Sequence, residues 1–161
     1  MIIKTEEGVK YLIRKAEIKD ANEVSELIIK CINTFHVNNY TVSELDIWKR
    51  GYTPLKVESY FSQRQSLVLV IDKEIAGIIQ FEAPEIKGFY LKPKYFSKGI
   101  GRLLLEYIIL IIKKDNHKVI ELSSNKWIVA FYKKFGFTVK KEEIVYWENH
   151  PFIEYRMEKS L

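Results

Sequence analysis

One stretch of the chain has the residue types and spacing to do chemistry. Leu91-Lys92-Pro93-Lys94-Tyr95-Phe96-Ser97-Lys98-Gly99-Ile100-Gly101-Arg102 joins a β-type run to the most strongly amphipathic segment of the sequence. Free N–H groups at a helix start, together with the positive end of the helix dipole, make an anion site. Glycines at 99 and 101 let a phosphate approach the backbone without Cβ interference. Lys94, Lys98 and Arg102 add positive charge nearby. The plainer reading is a turn that merely needs glycine. Two nucleotide motifs are excluded. A Walker loop needs Gly-Lys-Ser/Thr, whereas Gly101 is followed by Arg102-Leu103. The dinucleotide fingerprint needs a third glycine, where Leu104 stands.

The elements that must position this loop are legible around it. Ile100, Leu103, Leu104, Tyr107, Ile108, Ile111 and Ile112 form one stripe, so a helix follows Gly99. Upstream, Ile86 to Leu91 reads as a strand, which Pro93 extends by biasing Lys92 away from helix. Ser66–Ile71 and Ile75–Glu82, joined by Asp72-Lys73-Glu74, predict a hairpin. Tyr11–Ile18 predicts a strand. Asp20, with Glu23 in capping-box position, predicts a helix running to about His36. The segment 38–63 predicts one or two short helices broken between Gly51 and Pro54. Lys118–Ser123 is a strand, Ile128–Lys134 a short helix, and Phe137–Tyr146 and Phe152–Met157 close the chain as strands. The order β-α-α-β-β-β-α-β-α-β-β predicts an α/β protein with a mixed sheet.

Composition bounds the alternatives. At 161 residues, with 47% hydrophobic and 29% charged residues, one globular domain covering 1–161 is expected. The longest apolar run, Tyr107 to Ile112, is too short to span a bilayer. Glu6 stands where a signal peptide needs an apolar core, so a cytoplasmic protein without a membrane partner is expected. The lone Cys31 sits in an apolar stretch and reads as a buried structural thiol. His36, His117 and His150 show no metal spacing, so no metal is expected. The net charge of +5 favours an anionic partner without choosing among them.

A second stretch makes the first specific. Asn125-Lys126-Trp127-Ile128-Val129-Ala130-Phe131-Tyr132-Lys133-Lys134-Phe135-Gly136-Phe137 resembles motif B of the GNAT superfamily of acyl-CoA N-acyltransferases. The 91–102 stretch is similar to that family's motif A, Arg/Gln-x-x-Gly-x-Gly/Ala, with Phe96 where the family usually has Arg or Gln. The resemblance implies a GNAT-like fold: a mixed, mostly antiparallel sheet with splayed central strands, flanked by helices.

It also implies roles. Acetyl-CoA is the cosubstrate. Amides from Ser97, Lys98, Gly99, Ile100, Gly101 and Arg102 hold its pyrophosphate. The Leu91 backbone pairs with the pantetheine arm and helps polarise the thioester carbonyl. Asn125 contacts that arm, and Tyr132 sits beside the sulfur as general acid. Tyr132 alone could equally be a packed aromatic. Glu85, at the start of its strand, matches an acidic residue that is general base in some members; Glu82 is its neighbour and rival, and a solvated charge is the plain reading.

The expected acceptor is a primary amine of a small molecule or peptide, bound by a monomer or homodimer. Tyr40, Trp48 and Tyr52, beside Glu44 and Asp46, are candidates for its site. Two other readings remain. One is a GNAT-like module that binds CoA without turnover. The other is an RNA-binding module, suggested faintly by Lys134-Phe135-Gly136-Phe137-Thr138-Val139, which lacks the first glycine and an RNP2 partner strand.

Overall fold

Strand β4, Glu74–Glu82, is buried along nearly its whole length, as a strand covered on both faces must be. It pairs through a hairpin with β3, Gln65–Ile71, and the two turn residues, Asp72 and Lys73, both take positive φ. That geometry matches the twist of the flanking strands. The computed structural model describes residues 2–4 and 10–161, with side chains from Tyr11 onward. Glu6 of the N-terminal reading lies outside the described residues.

The chain folds as two compact units: residues 1–80 with 88–104, and residues 81–87 with 105–161. In the first, the strand order is β1 (Ile2–Lys4), β2 (Lys10–Lys15), β3, β4 and the Gly88–Leu91 half of β5 (Glu85–Leu91). The β1–β2 and β2–β3 pairs are antiparallel. Helices α1 (Ala21–Phe35), α2 (Val42–Arg50) and α3 (Pro54–Gln63) belong to this unit. Helix α1 buries Ala21, Val24, Leu27, Ile28, Cys31 and Ile32 at helical spacing and packs against α2 and α3. The break between α2 and α3 falls where Gly51 ends one helix and Pro54 occupies the first turn of the next.

The capping box expected at Asp20 and Glu23 is absent. Arg14 grips the Asp20 carboxylate with two nitrogens at 2.6 and 2.9 Å, and the Glu17 N–H donates to it at 2.8 Å. Glu23 instead accepts from the Ile75 N–H at 2.8 Å. An exposed cap contact yields here to a bidentate, charge-assisted pair.

The second unit holds the Glu85–Lys87 half of β5, then β6 (Val119–Ser124), β8 (His150–Ser160) and β7 (Thr138–Trp147) in spatial order. The β5–β6 pairing is parallel, with Glu85 opposite Glu121 and Ile86 opposite Leu122. The β6–β8 and β7–β8 pairs are antiparallel. Helix α4, Ile100–Lys114, begins in the first unit and ends in the second, and α5 is Val129–Lys133. Sheet and helices together make the mixed α/β architecture expected from the element order. Among the described residues, no helix is long and apolar enough to cross a membrane.

Candidate active site

The strand that enters the glycine loop is held from several sides. Gly77 on β4 allows the close approach: a Cβ there would lie 3.0 Å from the Leu91 side chain and 3.1 Å from the Tyr90 carbonyl. The Lys92 N–H donates to the Ala76 carbonyl at 2.8 Å. Strand alternation therefore turns the Leu91 N–H away from β4. The Leu91 carbonyl accepts from the Cys31 thiol at 2.9 Å. Burial pushes the Cys31 thiol up to about 12, so it stays protonated and a donor.

The next residues are tied down as well. Lys92 reaches Glu23 and Glu74, each at 3.4 Å, and Lys94 reaches Glu74 at 2.8 Å. Lys94 thus serves Glu74, whose carboxyl it holds below the usual range, rather than the open end of the loop. Phe96 stacks on Phe35, with ring centroids 4.1 Å apart and planes 7° from parallel.

Beyond Phe96 the chain is exposed through Gly99. Ser97 has φ 59° and Gly99 φ 75°, two left-handed residues directly ahead of α4. For Gly99 the need is conformational, since an added Cβ would meet nothing within 4 Å. The Leu103 N–H closes the first helical bond onto the Gly99 carbonyl at 3.0 Å. The N–H groups of Ile100 and Gly101 precede that bond, at the positions where a helix leaves its amides without intrahelical acceptors. Ile100 itself is buried and anchors the turn.

The other candidates lie in the second unit. Asn125 builds the turn out of β6: its Oδ1 accepts from the Trp127 N–H at 3.1 Å. That commits its side-chain oxygen and leaves its Nδ2 as the group with donors to offer. Tyr132 is 7% exposed and packs edge-on against Phe131 and Phe137, at 5.2 and 5.7 Å. Burial pushes its hydroxyl above the ordinary tyrosine value, so it carries its proton at neutral pH.

Glu85 sits among cations. Arg156 and Lys87 both donate to it, and Arg156 donates in addition to Glu121 at 2.6 Å. Burial alone would raise the Glu85 carboxyl; Arg156 and Lys87 outweigh it and hold the group below its ordinary value. Nothing in the sequence pairs Arg156 with Glu85, 71 positions away. Glu82 is exposed at the end of β4.

The aromatic segment after α1 is mostly packing. Trp48 is 8% exposed, 4.7 Å from the His36 ring and 5.6 Å from Tyr40. His36 is buried, its Nδ1 has no hydrogen-bond partner among the described residues, and burial keeps it neutral by lowering its pKa. The Tyr90 hydroxyl donates to that of Tyr52 at 3.0 Å. Glu44 closes a capping box with Thr41, and Asp46 pairs with Lys49 at 2.8 Å. The two acids once expected to draw an ammonium therefore serve their own helix. Among the described residues, no group of three or more His, Cys, Asp or Glu side chains is arranged to hold a metal ion.

A strand delivered through left-handed residues into a helix start, beside a mixed sheet, defines an α/β protein. The family model for the acetyltransferase (GNAT) domain matches residues 37–159, and the chain belongs to that family. An N-acetyltransferase of Methanocaldococcus jannaschii, itself uncharacterised, is 26% identical over 140 residues, which is 81% of this chain and 62% of that protein. The chain thus spans less than two thirds of that relative's length. A GCN5-related N-acetyltransferase from Rhodopseudomonas palustris has a TM-score of 0.87 at 16% identity, covering 100% of this chain and 98% of that one. The PaiA N-acetyltransferase from Thermoplasma acidophilum, solved in complex with coenzyme A, has a TM-score of 0.79 at 24% identity, covering 94% and 99%. At such identities the likeness is one of fold.

Proposed function

We propose that the chain is an acetyl-CoA-dependent N-acetyltransferase acting by direct attack of a primary amine, on a small molecule or a peptide, with both units serving one GNAT domain. The observation that carries this reading is the exposed turn at Ser97–Gly99, left-handed at both ends and opening α4. Coenzyme A bound to the PaiA protein of like fold supports it.

In this reading the amides of Ser97 to Arg102 take the diphosphate, helped by the helix dipole. The Leu91 N–H, turned away from β4, serves the pantetheine arm and the thioester carbonyl, and the Asn125 amide donates to the arm. An alkyl ammonium has a pKa of about 10.4, so roughly 4 kcal/mol stands against its neutral form at pH 7. Glu85 is charged at that pH and able to accept a proton, directly or through water. Its lowered pKa makes it a weak base. Tyr132, still protonated, supplies the proton that the departing thiolate takes up.

The test is an acetyl-CoA turnover screen against amines, amino acids and peptides, read by CoA release. Release that depends on an amine is expected. Coenzyme A binding without release across the whole panel would favour a binding module instead.

A further inference from the structure

We propose that the C-terminal half of α1 braces the diphosphate loop, with Phe35 and Cys31 as positioning residues for coenzyme A. The inference rests on the cosubstrate reading above.

Cys31 and Phe35 are four residues apart on α1, so they share one face about one turn apart. They touch the two ends of one short segment: Cys31 holds the Leu91 carbonyl, and Phe35 stacks on Phe96. Between those ends, Lys92, Lys94 and Tyr95 all reach Glu74, and Lys92 also reaches Glu23. The strand exit is thereby tied to α1 and to the start of β4. The residues just beyond Phe96 are exposed and include a serine at φ 59°. A non-glycine residue holds that conformation only when its surroundings over-determine it. Phe96, immediately before it, is held to the folded body by its stack on Phe35. It is 40% exposed, and its stack on Phe35 accounts for a large aromatic ring on a polar loop.

The chemistry of position 96 agrees. An Arg or Gln there can brace a loop with hydrogen bonds. A phenylalanine ring has no such donors and needs an apolar plane to lie on, which Phe35 supplies. The brace fixes the direction of the amides that follow, so less order must be imposed when the diphosphate binds.

Calorimetric titration of coenzyme A into the full chain tests this. The variants are Phe96→Ala, Phe35→Ala, the double variant, Phe96→Tyr and Phe35→Leu, each checked for an unchanged thermal transition. Losing the stack is expected to weaken binding roughly two- to tenfold. The double variant should bind no worse than the weaker single, because a single contact is lost once. Phe96→Tyr should restore the wild-type affinity. Phe35→Leu keeps the helix end apolar without a ring, so it should weaken binding as Phe35→Ala does, and it carries the test if Phe35→Ala shifts the thermal transition. Wild-type affinity in the Ala variants, or additive losses in the double, would overturn the brace while leaving the cosubstrate reading intact. No binding by the wild type would overturn that reading and the brace with it.

Discussion

Arg156 on β8 clasps Glu85 on β5 with one guanidinium nitrogen and Glu121 on β6 with the other. Glu85 and Glu121 face each other in the parallel pairing of those strands, so Arg156 bridges two carboxylates that would otherwise repel, and Lys87 adds a second cation at Glu85. The Glu85 carboxyl is depressed in the folded state, so its contribution to stability is present above the unfolded carboxylate value. That contribution is lost as pH falls through the lower, folded value. Arg156→Leu should lower stability at pH 7 by about 1–3 kcal/mol. It should also flatten the acid limb of stability below about pH 4. Urea melts of both proteins across pH 3–7 measure this, and an unchanged acid limb would show that the pair is not coupled to folding.

Gly99 gives a test that separates conformation from space. Nothing crowds a Cβ there, but φ 75° disfavours one. Gly99→Ala should cost roughly 1–2 kcal/mol, and Gly99→Asn less, because asparagine tolerates the left-handed region. Gly101→Glu should abolish the upward thermal shift produced by millimolar acetyl-CoA. If the shift survives Gly101→Glu, the diphosphate does not lie at this helix start.

Tyr132→Phe should lower kcat on the order of 10²–10⁴-fold while leaving the dissociation constant of acetyl-CoA nearly unchanged. Because burial raises the hydroxyl, the wild-type kcat profile should show no loss of activity from Tyr132 ionisation at or below about pH 10, the ordinary tyrosine value. Near-native turnover of the variant at saturating acceptor would reduce Tyr132 to a packing role.

Cys31 should be unreactive in the native state. The nucleophile is the thiolate, and a thiol pushed up to about 12 and buried presents almost none near neutrality. A disulfide reagent should titrate one thiol in guanidinium and none in buffer. Rapid native labelling would mean that the hold on Leu91 opens readily.

The acceptor region gives a prediction opposite to the one that composition suggests. Trp48 is core, so Trp48→Ala should cost about 3–5 kcal/mol and mainly unfold the protein. Glu44→Gln should change α2 capping by a few tenths of a kcal/mol to about 1 kcal/mol and leave acceptor kinetics alone. A raised acceptor KM in a well-folded Glu44→Gln would return that carboxylate to the acceptor site.

The parts of this protein that were legible in its sequence are those governed by neighbours in the chain. The apolar stripe from Ile100 to Ile112 does become α4, Asp72-Lys73 does turn β3 into β4, and Gly51 to Pro54 does separate two helices. Each follows from periodicity or from a backbone preference felt within a few residues. The two motifs, likewise local, were enough for the family. The three-residue β1 has no period of its own to show, and it exists through pairing with β2.

Tertiary structure decided which partner each polar or aromatic group takes. By spacing alone Asp20 pairs with Glu23, but the fold gives Asp20 to Arg14 and Glu23 to Ile75 and Lys92. Lys94 looks like a phosphate ligand in sequence and goes to Glu74. Cys31 meets Leu91 and Phe35 meets Phe96 only because α1 lies beside the exit of β5. A sequence lists the groups able to make a contact; strand register and helix placement select among them, since each side chain's hydrogen bonds and ring faces can be used only by what packs within reach.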